Sequence, residues 1–187
     1  MRIATLSEML EEVVRLGEAT GMEEHAHETR GELEGRLATV RAAVAGTSSP
    51  RVIALQRLEP PRVGGFWIPE MISIAGGEDV AGDPGLEPPA VGWGELASLR
   101  ADVVIALPEV PLESAQALAM EHWESIADLG ATRLYAVDGE VFADPGPRLV
   151  DGVELLGHVL HPDLVDPPGN VGFVTLRTPV PRPATGS

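Results

Sequence analysis

The chain has 187 residues, 44% of them hydrophobic, which is enough for one domain with a true core and argues against disorder. Its formal net charge is −16, and so acidic a surface repels phosphate backbones and anionic lipid, making nucleic acid and membrane surfaces poor partners. Cysteine is absent, which excludes disulfides, thiol nucleophiles and Cys-ligated metal centres.

The opening stretch, MRIATLSEMLEEVV, has one Arg, no long apolar run, and acids where a secretory leader needs hydrophobes. No segment approaches the length of a membrane span. The chain is therefore expected to stay in the cytoplasm. Thr5-Leu6-Ser7-Glu8 has capping-box spacing, and Leu6, Leu10, Val13 and Leu16 or Gly17 then follow one helical face. Thr20-Gly21-Met22-Glu23 repeats the start signal for a longer helix to about Ala45, with Leu33, Leu37, Val40 and Val44 on one stripe. Gly46 to Pro50 ends it.

The period then changes. Arg51 to Leu55 is short, apolar and β-rich, as a buried strand should be. Residues 68 to 75 predict a short helix with Pro69 in its first turn and Gly76-Gly77 as its C-cap. Residues 78 to 91 predict a loop, and Gly94 to Leu99 another short helix. Asp102 to Leu107 is the clearest strand. A helix over 112–128, a strand from Arg133 to Val137, an extended piece from Glu140 to Phe142 and a helix from Pro147 to Leu160 complete the pattern. Trp93 is expected to staple a helix start, and Trp123 to lie on the buried stripe of its helix. Phe173 to Leu176 predicts one edge strand in an otherwise irregular segment. Alternating strands and helices predict an α/β fold with a mainly parallel sheet flanked by helices and an N-terminal helical extension. The expected organisation is N-terminal helices over 1–46, an α/β lobe over 47–164, and an irregular Pro-rich tail over 165–187.

Little in the chain resembles catalytic machinery. His25 and His27 are two apart on a helix and so point to different faces. His158 and His161 sit near a helix end, where a positive ring suits the dipole. No zincin, phosphate-binding, nucleophile-elbow or dinucleotide motif occurs. Neither an enzyme nor a metal site is expected. The stretch Glu59 to Trp67, EPPRVGGFW, stands apart because it follows a strand and precedes a helix, where open α/β sheets collect ligands. Gly64 and Gly65 permit close backbone approach. Periodicity assigns Phe66 to the core and leaves Trp67 open between core packing and a flat ligand platform.

Three strings in order, RVIALQRLEPPRVGGFWIPEMISIAGGEDV, VGWGELASLRADVVIALP and ATRLYAVDGEVFADPGPRLVDGVELLGHVLHPDL, resemble the C-terminal lobe of the iron–siderophore/vitamin B12 substrate-binding proteins of ABC importers, and within them the bacterial cobalamin-binding group. The resemblance runs from about residue 51 to 164, and the first two helices resemble the entry to the interlobe helix. It implies one α/β lobe of a two-lobe periplasmic-binding-protein-like fold, without the N-terminal lobe. It implies a non-catalytic carrier of a metal chelate (cobalamin, heme or a ferric siderophore) that hands its ligand to a permease. Family relatives work outside the cytoplasm. Carried onto this chain, the ligand-binding residues are Glu59, Arg62, Phe66, Trp67, Phe142 and Asp144, with Trp67 tilted toward the cleft and Phe66 toward packing, and Glu95, beside Gly94, is the permease-docking carboxylate. The chain departs from the group at Arg57 and near Arg62, where aromatic residues are usual; two guanidiniums there would hold carboxylate or phosphate groups, or pair with local acids. The alternative is a cytoplasmic interaction module derived from this lobe, paired with itself as a homodimer or with a separately encoded N-lobe chain.

Overall fold

The computed structural model describes residues 3–88 and 90–177. Helix α1 (Leu6–Thr20) starts at Thr5, whose hydroxyl accepts the Glu8 N–H at 3.2 Å. Glu8 reaches back one residue further than a capping box prescribes, to the Ala4 N–H at 2.6 Å. Gly21, at φ 73°, closes the helix. Helix α2 (Glu23–Ala43) follows, but Thr20 does not cap it: its hydroxyl donates to the Leu16 carbonyl of the preceding helix at 2.8 Å. The expected α2 stripe of Leu33, Leu37, Val40 and Val44 is buried. On α1, Gly17 is buried and Leu16 faces solvent.

Among the described residues β1 (Arg51–Leu58), β2 (Pro61–Val63), β3 (Glu78–Asp79), β4 (Val103–Ala106), β5 (Arg133–Val137) and β6 (Phe173–Thr175) form one sheet in the order β2-β1-β4-β5-β6, with β3 also on β1. The chain alternates β1, β4 and β5 with helices, and these strands are parallel. The two-residue β3 is parallel to β1, whereas β2 and β6 run antiparallel to β1 and β5. The continuous apolar runs in β1 and β4 are explained by burial on both faces. Val52, Ala54, Val103 and Ile105 join the core formed with α1, α2, α3 (Ile68–Ile74) and α7 (Leu149–Leu160). Ile53, Leu55, Val104 and Ala106 join the second core, with α4 (Trp93–Ser98), α5 (Leu112–Glu121) and α6 (Trp123–Ala127). The fold is thus a mainly parallel α/β lobe, and β6 is the edge strand expected.

Several expectations change. Strand β1 runs on to Leu58 and folds back as a hairpin, so the stretch 59–67 holds a hairpin tip and a strand before it reaches α3. The expected loop after residue 77 begins with β3. The expected 112–128 helix is two helices, because His122 at φ −101° and ψ 19° turns out of helical geometry. Trp123 begins the second helix half-buried against the second core. The expected extended piece at 140–142 is a 3-10 turn over Gly139–Phe142. The Asp138 carboxylate accepts the Glu140 N–H at 3.2 Å and winds the chain, delivering Val141 and Phe142 into the core. Residues 178–187 of the expected tail lie outside the described residues.

Candidate functional site at the carboxyl edge of the sheet

Because β1, β4 and β5 are parallel, their carboxyl ends lie along one edge, at Leu58, Ala106 and Val137. Three segments leave that edge: the β1–β2 hairpin, residues 107–111, and residues 138–148. Gly139 holds the last two together, its N–H donating to the Val110 carbonyl at 3.2 Å. A Cβ at Gly139 would overlap the Pro108 carbonyl, so only glycine fits. Between hairpin and β4 lies a hollow of about 330 Å³ lined by Gln56, Arg57, Arg62, Pro108, Glu109 and Val110. The Gln56 amide donates to Glu109 at 3.3 Å across it.

The structure separates the residues expected to bind ligand. Glu59 is exposed at the hairpin tip, and Asp144 is exposed beyond the 3-10 turn. Arg62 is half-buried and paired with Glu87 at 3.4 Å. Trp67 and Phe142 belong to the core, with exposures of 7% and 0%. The Trp67 indole donates to the Phe142 carbonyl at 3.1 Å. The expectation that Trp67 turns a broad face to the cleft is therefore corrected, since Trp67 is buried, whereas Phe66 packs against the same core as expected but is only partly buried. Their rings are 5.9 Å apart and tilted by 36°. The burial follows from chain direction. Trp67 is the residue before α3, and that helix packs on α7 with Ile68, Met71 and Ile72 fully buried. Gly64 and Gly65 also serve packing, since a Cβ on either would crowd Ile68 or Pro88. Phe66 itself takes positive φ, 55°.

One segment positions both Phe66 and Arg62. The Phe66 N–H donates to the Leu86 carbonyl and the Gly85 N–H to the Phe66 carbonyl, each at 2.8 Å. Glu87 pairs with Arg62, and Ala90 bridges Arg62 backbone to backbone. The segment begins at Asp79, whose Oδ1 accepts the Ala81 and Gly82 N–H groups at 2.9 Å each. Oδ2 of Asp79 is buried without a partner. This carboxyl is pushed up to about 6: burial raises it most, the two backbone donors pull it down in part, and nearby Asp83 adds a smaller rise. Glu95 is exposed in the first turn of α4, five residues beyond the bridged Ala90.

Gln56, Glu109 and Leu86 were not singled out in the sequence. Gln56 and Glu109 carry a legible signal, being the first polar residues after apolar strand runs, where carboxyl ends gather ligands. Leu86, 59% exposed, carries none. The histidines are held apart: His158 Nδ1 meets the Val165 carbonyl at 2.8 Å and His161 Nε2 the Gly76 carbonyl at 3.3 Å. Among the described residues no three His, Asp or Glu side chains gather as metal ligands.

No family model matches the chain. An uncharacterized ABC transporter substrate-binding lipoprotein of Bacillus subtilis is 21% identical over 170 residues, covering 85% of this chain and 52% of the relative. The chain thus spans about half the length of that curated relative. An ABC transporter substrate-binding protein from Listeria monocytogenes superposes with a TM-score of 0.74 at 20% identity, over 86% of this chain and 66% of that one. A periplasmic heme binding protein from Pseudomonas aeruginosa gives 0.70 at 22% identity over 94% and 67%. The periplasmic vitamin B12 binding protein of Vibrio cholerae gives 0.68 at 18% over 85% and 62%. These relatives are described as a lipoprotein and as periplasmic proteins, and they lend no support to the expected cytoplasmic placement or to a cytoplasmic dimeric module. No helix among the described residues is long and apolar enough to cross a membrane. In fold, the chain is a single α/β lobe, preceded by two helices, of the kind found in the substrate-binding proteins of ABC transporters.

Proposed function

We propose that this chain is a substrate-binding component of an ABC importer, non-catalytic, that takes up a metal chelate such as cobalamin, heme or a ferric siderophore at the carboxyl edge of its sheet. The observation that carries this reading is the hollow between the β1–β2 hairpin and residues 108–110, at the edge where open α/β sheets receive ligands. The relatives that share the fold include heme and vitamin B12 binding proteins.

In this reading Glu59, Arg62, Phe66 and Asp144 form the ligand wall, with Arg57 and Gln56 added. Trp67 and Phe142 act beneath it by fixing the Phe66 and 143–148 segments to one another. Glu95, exposed at the start of α4, is the surface carboxylate for a permease arginine.

Equilibrium dialysis against hemin, cyanocobalamin and a ferric siderophore tests the reading. Saturable one-to-one binding of one of them, weakened by Arg62→Ala or Phe66→Ala and unchanged by Leu16→Ala on the far surface of α1, is the expected result. Absence of saturable binding across the panel would sink it.

A further inference from the structure

Arg57 and Arg62 are direct partners across the antiparallel β1–β2 hairpin. The pairing depends on an irregularity. Leu55 pairs with Val63, so regular register would set Gln56 opposite Arg62; instead the register shifts between Leu55 and Arg57, and Arg57 takes that place. Such bulges insert one residue into a strand, re-aim the side chains that follow, and recur beside functional sites. Here the bulge sets two arginines directly opposite each other, and both line the hollow. Like charges directly opposite on a hairpin destabilise it.

Local acids do not fully relieve that repulsion. Arg62 has Glu87 at 3.4 Å, but the Glu87 side chain is 63% exposed, and an ion pair so open to water contributes little. Arg57 has no carboxylate partner among the described residues. Its Nε donates to the Pro60 carbonyl at 3.2 Å, and its terminal amino groups have no protein acceptor among those residues. This occurs in a chain of formal charge −16, where acids are plentiful. Both arginines line the same hollow as Gln56, a further N–H donor.

We infer that Arg57 and Arg62 form a two-point clamp for an oxyanion, carboxylate or phosphate, on the ligand this site receives. The inference rests on the proposed binding role for the site and names the charge of its ligand. The planar forks donate paired N–H groups to the oxyanion, which displaces Glu87 from Arg62 and relieves the Arg57–Arg62 repulsion. Gln56 and Glu109 close the floor of the hollow. The clamp replaces stacking on a flat ring as the means of recognition along this rim.

The test is a titration of the full chain with citrate and, separately, with inorganic phosphate, following the arginine Nε–H signals by NMR. Saturable shifts at Arg57 and Arg62, and not at solvent-facing Arg15 or Arg30, are expected. Response to citrate alone identifies a carboxylate ligand, and response to phosphate alone a phosphate ligand. Arg57→Gln and Arg62→Gln should each weaken the response about tenfold or more, the scale of a lost charge-assisted hydrogen bond. Arg57→Lys, which keeps the charge and loses the fork, should retain part of it. No saturable shift with either anion, or equal shifts at every arginine, overturns the clamp. If the anions bind but no chelate does, the importer reading falls and the clamp stands. If a chelate binds the Arg57→Gln/Arg62→Gln double variant as tightly as the parent chain, the clamp falls and the importer reading stands.

Discussion

The indole N–H of Trp67 donates to the backbone carbonyl of Phe142, 75 residues away, at 3.1 Å in the buried interior. This bond ties the segment after β2 to the segment after β5, and so fixes two rims of the carboxyl edge with one contact. Trp67→Phe should keep most of the packing but strand the Phe142 carbonyl, costing about 1–3 kcal/mol. Trp67→Ala adds a cavity and should cost about 3–5 kcal/mol. Urea unfolding followed by circular dichroism measures both. A Trp67→Phe protein of parental stability that had lost chelate binding would return Trp67 to the ligand.

Asp79 predicts an inverted pH response. Its carboxyl titrates near 6 in the fold, against 3.8 as the ordinary value, because burial disfavours the charge. Between those values the folded state holds a proton that the unfolded state has released, so this group's contribution to stability falls as pH rises from about 4 to 6 and stays lost above. The full conversion of that shift is at most about 3 kcal/mol. Asp79→Asn should flatten the stability slope across this interval and raise stability at pH 7.5 by about 1 kcal/mol. Denaturant midpoints of both proteins at several pH values provide the comparison; parallel curves would count against the assignment.

Arg36 on α2 spans two acids of α7, donating to Glu154 at 2.8 and 2.6 Å and to Asp151 at 2.5 Å. Asp151 is 8% exposed and takes a second donor, Asn170, at 2.8 Å. Arg36→Ala leaves that buried carboxylate short of a counter-charge. Since Arg36 itself is partly open to water, the cost should be about 2 kcal/mol, below the full range for a buried pair. Adding Asp151→Asn to Arg36→Ala should recover about 1 kcal/mol, a coupling that a double-mutant cycle reads directly.

Gly139 joins the segments that follow β4 and β5 by a backbone hydrogen bond to Val110. Gly139→Ala places a methyl group on the Pro108 carbonyl and should destabilise the lobe by about 2 kcal/mol or more, with Phe142 drawn from its packed position. Gly146→Ala, where a Cβ meets nothing, is the control and should stay within about 0.5 kcal/mol of the parent. Thermal melts of the two variants decide it.

The strands and helices that make the lobe were legible because each carries its own period. Val52 to Leu55 and Val103 to Leu107 are apolar throughout, which only a doubly covered strand requires, and Leu33, Leu37 and Val40 keep one helical face. Thr5 capped its helix because a cap is a local bond between residues three apart. Local chemistry misled where a different local bond outweighed the one that the pattern suggested. Thr20 had the spacing of a second cap, yet the carbonyls at the end of α1 were nearer acceptors. Residues 140 to 142 looked extended, yet the Asp138 side chain wound them into a turn.

By itself the sequence determined the α/β alternation, the acidic surface, the absence of thiol chemistry and the position of the carboxyl-edge loop, since each depends on composition or on neighbours within a few residues. Only the tertiary structure decided which side chains of that loop meet solvent. Exposure depends on what packs from elsewhere in the chain, and α3 against α7 drew Trp67 inward while the 85–87 segment held Phe66 at the margin. Only the strand register decided that Arg57 faces Arg62, because one residue of bulge sets which side chain of β1 stands opposite its partner.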